Sequence, residues 1–124
     1  MKTKIESKNA PKVIGPYSQA VMVGDFIFTS GQIYITVEGK LLEGTIEEQT
    51  HQVMKNLKAV LEEAGVTFDN VVKTTIYVTD MSVYSKINEV YESYFSGIFP
   101  ARETVAVAAL PAGAKLEISM IAVK

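Results

Sequence analysis

The sequence predicts an α+β domain in which a single mixed sheet carries two helices packed on one of its faces. Three observations lead there. Short runs alternate in polarity, as in Thr74, Ile76 and Val78 set against Lys73, Thr75 and Tyr77. Two other stretches switch to helical spacing, one through Ile46, Val53, Leu57, Leu61 and Ala64, the other through Tyr84, Ile87, Asn88, Tyr91 and Phe95. The elements follow the order β-β-β-α-β-α-β-β with no linker, repeat or low-complexity tract, so residues 1–124 make one domain.

Taken in order, residues 3–7 read as a short strand. Residues 9–17, NAPKVIGPY, contain two prolines and a glycine and are expected to form an irregular loop ending at Tyr17. Residues 19–23 and 26–33 are β-formers separated by Gly24-Asp25, a hairpin turn. Ser30-Gly31-Gln32 lies inside the second of these strands, and a glycine there marks a bulge or a close approach to the backbone. After a polar loop over 38–44, Thr45 and Glu48 form a T-x-x-E capping box that starts the first helix, and Gly65 stops it. Residues 71–79 read as a strand, and Asp80 or Ser82 caps the second helix, expected to end near Gly97. Two final strands, 104–110 and 115–123, are joined by a Pro-Ala-Gly turn. The last strands are apolar on both faces while the helices cover one, so the uncovered face is expected to meet other copies of the chain.

Composition narrows the function. With 48% hydrophobic and 21% charged residues the chain is globular, and no apolar run is long enough to cross a bilayer. A net charge of −2 argues against nucleic acid as the partner, because such domains carry a basic face. The absence of cysteine excludes disulfides and thiolate chemistry. Met1 leads into Lys-Thr-Lys-Ile with no apolar leader, which makes the cytoplasm the expected compartment.

Among the candidate functional residues, Arg102 stands out: it is the one arginine beside eleven lysines. Its planar fork meets a carboxylate with two parallel hydrogen bonds, which a lysine cannot do. A structural ion pair is the alternative role. His51, the sole histidine, is mid-helix near Glu47 and Lys55; a zinc site needs at least three protein ligands, so a solvated helix face is the better reading. The glycines match neither dinucleotide nor phosphate-loop spacing. Tyr84, Tyr91 and Tyr94 read as packing residues with a polar tip. Tyr17, Ser30-Gly31, Arg102 and Glu117 all fall where strands end or pause, and together they could supply a hydroxyl, backbone donors, an anion clamp and a carboxylate base.

Several of these stretches, GPYSQA at 15–20, TSGQI at 29–33, VVKTT at 71–75, FPAR at 99–102 and KLEI at 115–118, closely resemble the RidA branch of the Rid (YjgF) family, end to end and in the same order. The resemblance implies a chorismate-mutase-like fold, a homotrimer with sites between subunits, and hydrolysis of reactive 2-imino and 2-enamino acids, such as 2-iminobutanoate and 2-iminopropanoate, to 2-oxo acids and ammonia. It implies neither metal nor organic cofactor; it is the charge and composition that lead us to expect no nucleic-acid or membrane partner. Carried over by position, Arg102 grips the substrate carboxylate, Glu117 holds and activates water, Tyr17 is the pocket tyrosine, the backbone at Gly31 and Thr104 binds ligand, and Ser30 and Asn88 are pocket or supporting polar residues. Thr104 departs from the cysteine of many members, and Tyr34 from a proline, a change expected to reshape one wall of the cleft. The competing readings are a module that binds small 2-oxo acids without turning them over and a translation inhibitor or ribonuclease. The acidic balance and the lack of a usable histidine count against the latter.

Overall fold

A computed structural model describes residues 1–124. Strands β1 (Thr3–Ile5), β2 (Ala20–Val23) and β3 (Phe26–Thr29) precede helix α1 (Ile46–Glu63); β4 (Val71–Val78), helix α2 (Tyr84–Glu92), β5 (Ala101–Ala106) and β6 (Leu116–Val123) follow. All the strands join one sheet in the order β1-β2-β3-β6-β4-β5. Only β4 and β5 run parallel, as the crossover through α2 requires; every other pair is antiparallel. No helix is long and apolar enough to cross a membrane.

The core lies between the helices and one face of the sheet. Leu116, Ile118, Met120 and Ala122 alternate inward along β6, and Thr74, Ile76 and Val78 do so along β4, facing Val53, Leu57 and Val60 of α1 and Ile87 of α2. Each such aliphatic side chain, once out of water, stabilises the fold by about 1.5–3 kcal/mol. The capping box begins α1: Thr45 accepts from the Glu48 amide at 3.1 Å, and Glu48 accepts from the Thr45 amide at 2.9 Å. Inside α1, buried Asn56 donates to the carbonyls of Ile33 and Ile35 at 3.1 and 2.9 Å, tying the segment after β3 to the helix. The other sheet face is open, and Phe26, Phe28 and Val105 are 49%, 41% and 42% exposed on it.

Several boundaries differ from expectation. The β3 ladder stops at Thr29 rather than at residue 33, because an extra residue enters there. Phe28 pairs with Ile121 and Gln32 with Ile118, four steps on one strand against three on the other. Helix α2 ends at Glu92 rather than near Gly97. The amides of Tyr94 and Phe95 reach back three residues instead of four, and the Ser93 hydroxyl takes the Val90 carbonyl at 2.6 Å. Asp80 caps not α2 itself but the 3-10 turn Met81–Val83 that feeds it. Strand β5 covers 101–106 instead of 104–110, so Arg102 lies within the strand; a polar start on an edge strand carries no alternating apolar signal.

Candidate active site

The β3 irregularity builds one half of the site. Residue 31 sits at the point where the ladder skips, and the Met120 amide, left without a β3 carbonyl, donates to Thr29 Oγ1 at 2.9 Å. The chain re-enters the sheet through paired bonds between Gln32 and Ile118 at 2.8 and 3.0 Å. That pins Gly31 against the neighbouring Glu117. A Cβ added to Gly31 would run into Glu117 Oε2 and lie 2.9 Å from its Cγ, so only glycine leaves the carboxylate in place. Ser30 is held by its hydroxyl on the Ser18 carbonyl at 2.5 Å and by its amide on the Gln19 carbonyl at 2.8 Å. Tyr17, 54% exposed, reaches the same space from the end of the 9–17 loop. Buried Gln19 anchors that loop, accepting from the Ser7 amide at 2.7 Å and donating to the Ser7 and Pro11 carbonyls at 3.2 and 3.0 Å.

The result is a cavity of about 640 Å³ lined by Tyr17, Ser30, Gly31, Ile33, Ile35 and Glu117 among others. Glu117 takes part in neither of the chain's ion pairs, Lys4–Glu6 and Lys73–Glu103, and no side-chain hydrogen bond reaches it. Partial burial pushes its carboxyl above the ordinary value, the direction that makes a carboxylate a better base.

Arg102 builds the other half. Its guanidinium carbon lies 5.0 Å from the centre of the Tyr91 ring and 5.6 Å from that of Tyr84, and Nη2 donates to the Tyr84 hydroxyl at 3.0 Å. Tyr91 is fixed in turn, its hydroxyl donating to buried Thr74 Oγ1 at 2.9 Å. A cavity of about 260 Å³ opens beside Arg102, lined also by Asn88, Tyr91, Glu92, Phe99 and Pro100. Neither of the chain's own ion pairs includes Arg102, so within one chain its charge stays available to an anion. Two buried polar atoms, Asn88 Oδ1 and Thr104 Oγ1, lack partners; one lies on the lining of this cavity and the other two residues beyond Arg102 on the same side of β5. Buried polar atoms are normally paired, and an orphan costs about 1–3 kcal/mol.

The halves do not meet within one chain. Glu117 pairs with Tyr77 and Tyr77 with Val105, a row on the open face; Met120 pairs with Thr74 and Thr74 with Arg102, a row on the helix face. Two strand spacings and three residue rises put the Glu117 and Arg102 Cα atoms about 14 Å apart, with side chains leaving opposite faces. The expected cluster therefore divides into Tyr17, Ser30, Gly31 and Glu117 on one side and Asn88, Arg102 and Thr104 on the other. Tyr34 does not line either cavity: it is 2% exposed and its hydroxyl accepts from the Lys115 amide at 2.8 Å, so the expected change to a cleft wall is not found. His51 is exposed and pairs through Nδ1 with the Tyr94 hydroxyl at 2.8 Å; no three His, Cys, Asp or Glu side chains gather to hold a metal. Tyr84, read from sequence as packing, is the residue missed, and only its spacing of i, i+4 and i+7 with Asn88 and Tyr91 signalled it.

The family described as Endoribonuclease L-PSP matches residues 7–124. A RutC family protein of Aquifex aeolicus is 51% identical over 98% of this chain and 98% of its own. The 2-iminobutanoate/2-iminopropanoate deaminase of Mus musculus is 46% identical over 97% of this chain and 90% of its own. The crystal structure of YyfA from Yersinia pestis, of the conserved Rid protein family, superposes with a TM-score of 0.97 at 52% identity over the whole of both chains.

Proposed function

The chain belongs to the Rid (YjgF) family, also described as Endoribonuclease L-PSP, and from that membership we propose that it hydrolyses small 2-imino and 2-enamino acids to 2-oxo acids and ammonia. One observation carries the reading. The two charges suited to this reaction, Arg102 and Glu117, sit on opposite faces of one sheet, so a site built from both calls for a second copy of the chain to bring its Arg102 to this chain's Glu117. We take the working assembly to be a homotrimer whose sites lie between neighbouring subunits.

The substrate is its own electrophile. A protonated 2-imino acid presents a carboxylate and a carbon activated by the adjacent C=NH2⁺ group, so the chemistry asks for no nucleophilic side chain and no cofactor. Arg102 takes the carboxylate with its fork, as the neutral aromatic bed beneath it permits. Glu117 accepts a proton as water attacks the activated carbon, forming a carbinolamine. That proton returns to the nitrogen, the C–N bond breaks, and the hydroxyl proton leaves with ammonia as ammonium, giving the 2-oxo acid. Positioned general-base help of this kind contributes about 10²–10⁴ in rate. The relative from Mus musculus that bears the name of this activity supports the choice of substrate class.

The test is Glu117→Gln, which removes the base and keeps shape and one acceptor oxygen. Calorimetric binding of 2-oxobutanoate should persist, while imine decay, followed by semicarbazide competition on the same preparation, should fall about 10²-fold or more. Retained hydrolysis rejects the enzyme reading in favour of a module that binds small 2-oxo acids.

A further inference from the structure

The aromatic contacts of Arg102 fix where its guanidinium sits but not how it is turned. A ring face attracts a cation without preferring one N–H over another, so the beds at 5.0 and 5.6 Å leave the fork free to rotate between them. The hydrogen bond from Nη2 to the Tyr84 hydroxyl, at 3.0 Å, is the one side-chain bond that selects an orientation. Tyr91 offers no such bond, because its hydroxyl is committed to Thr74. Tyr84 is 37% exposed, projects from the first turn of α2 and, while accepting from Arg102, donates its own proton to no side chain. The Asn88 amide one turn on, and then Arg102, pull its phenol below the ordinary value, as donors to a phenol oxygen do.

We propose that Tyr84 is the positioning residue of the carboxylate clamp: its hydroxyl holds the Arg102 fork turned toward the anion before the anion arrives. The proposal rests on the reading of Arg102 as the carboxylate grip. Without the hydroxyl the guanidinium samples several orientations, a carboxylate binds only one, and affinity falls by the fraction of time spent there.

Arg102 is the only arginine of the chain, so its guanidinium signals in a ¹⁵N–¹H spectrum are identified without assignment. In the wild-type protein without ligand, the Nη protons should be resolved and slowly exchanging between sites; in Tyr84→Phe, which keeps the ring and loses the bond, they should merge. Calorimetry with 2-oxobutanoate should show Kd raised about tenfold in the variant, as for a lost bond to a charged group. KM for the imine should rise by the same factor with kcat and thermal midpoint unchanged, the pattern of lost ground-state binding. Identical guanidinium spectra and a Kd within twofold of wild type would overturn the proposal. So would a fall in kcat at constant KM, which places Tyr84 at the reacting centre, or a loss of affinity that tracks a fall in thermal stability. The two readings separate cleanly: if wild-type protein releases no ammonia but the spectra and Kd change as described, the clamp stands and the deaminase fails. With hydrolysis intact and the spectra unchanged, the reverse holds.

Discussion

Replacing Gly31 by Ala is the smallest change that reaches Glu117, the carboxylate proposed to activate water. The added methyl overlaps Glu117 Oε2 and comes within 2.9 Å of Cγ, while real Cβ contacts stay beyond about 3.4 Å in ordinary packing. The obstacle is the end of a flexible side chain, so Glu117 swings away and the backbone stays. Gly31 is also outside the left-handed region, and alanine meets no backbone strain there. Stability should therefore hold or rise by about 0.4–1 kcal/mol, from the smaller entropy of the unfolded chain. Release of Glu117 to solvent also removes the desolvation that raises its pKa. Hydrolysis should fall by about 10²-fold, because a base displaced from hydrogen-bonding reach of its water contributes nothing. The assay is ammonia release in an imine-generating dehydratase reaction, with calorimetric binding of 2-oxobutanoate on the same sample showing that the backbone contacts survive. A double variant with Glu117→Gln should lose no more than either single one, since both remove the same group. Wild-type hydrolysis in Gly31→Ala, or losses that multiply in the double variant, would refute the placement of Glu117 as the base.

Arg102→Lys keeps the charge and discards the fork, so hydrolysis should collapse with little change in thermal midpoint. Co-refolding Arg102→Lys with Glu117→Gln in equal amounts should restore about a quarter of wild-type activity, the random-mixing fraction of neighbouring pairs that join two intact halves in a head-to-tail ring. No recovery in a trimer by sedimentation would place each site within one chain. The pH test concerns Glu48, whose pKa is lowered by its bonds to the Thr45 amide and then the Thr45 side chain. A depressed folded pKa stabilises above the unfolded value of 4.5 and is lost as pH falls through the folded one. Glu48→Ala should therefore lower the thermal midpoint at neutral pH, with the gap narrowing below pH 4.5. A gap independent of pH would reject the carboxylate's part in the cap.

Much of this was legible because local chemistry and tertiary packing agree. The T-x-x-E box at 45–48 and the alternation over 71–78 involve neighbours in sequence, and both elements form as written. Gly31 also announced itself: a glycine within β-formers predicted a close approach, and the approaching group is Glu117. What sequence could not convey was sidedness. Whether Arg102 and Glu117 share a pocket depends on the register of β4 against both β5 and β6, fixed only once Thr74 turns inward beneath Tyr91. Tyr34 failed for a related reason. A tyrosine in a segment next to the site reads as a wall, but Asn56 draws the Ile33 and Ile35 carbonyls to α1 and the ring between them turns into the core.

The division of the site explains why a single chain tolerates its orphan groups. A half-buried Glu117 with no partner leaves its desolvation uncompensated, and Arg102 has no counter-ion within the chain; a fold selected for stability alone would pair them or lose them. In the assembly proposed above, the two charges would face one another across the same cleft that takes the substrate. The exposed Phe26, Phe28 and Val105 supply apolar area on the face that carries Glu117, so in the proposed assembly burying that face and completing the site would be one event. On that proposal the open sheet face serves catalysis as much as assembly. A helix laid across it would satisfy the apolar side chains and, by covering Glu117, close the route proposed here for a neighbour's Arg102.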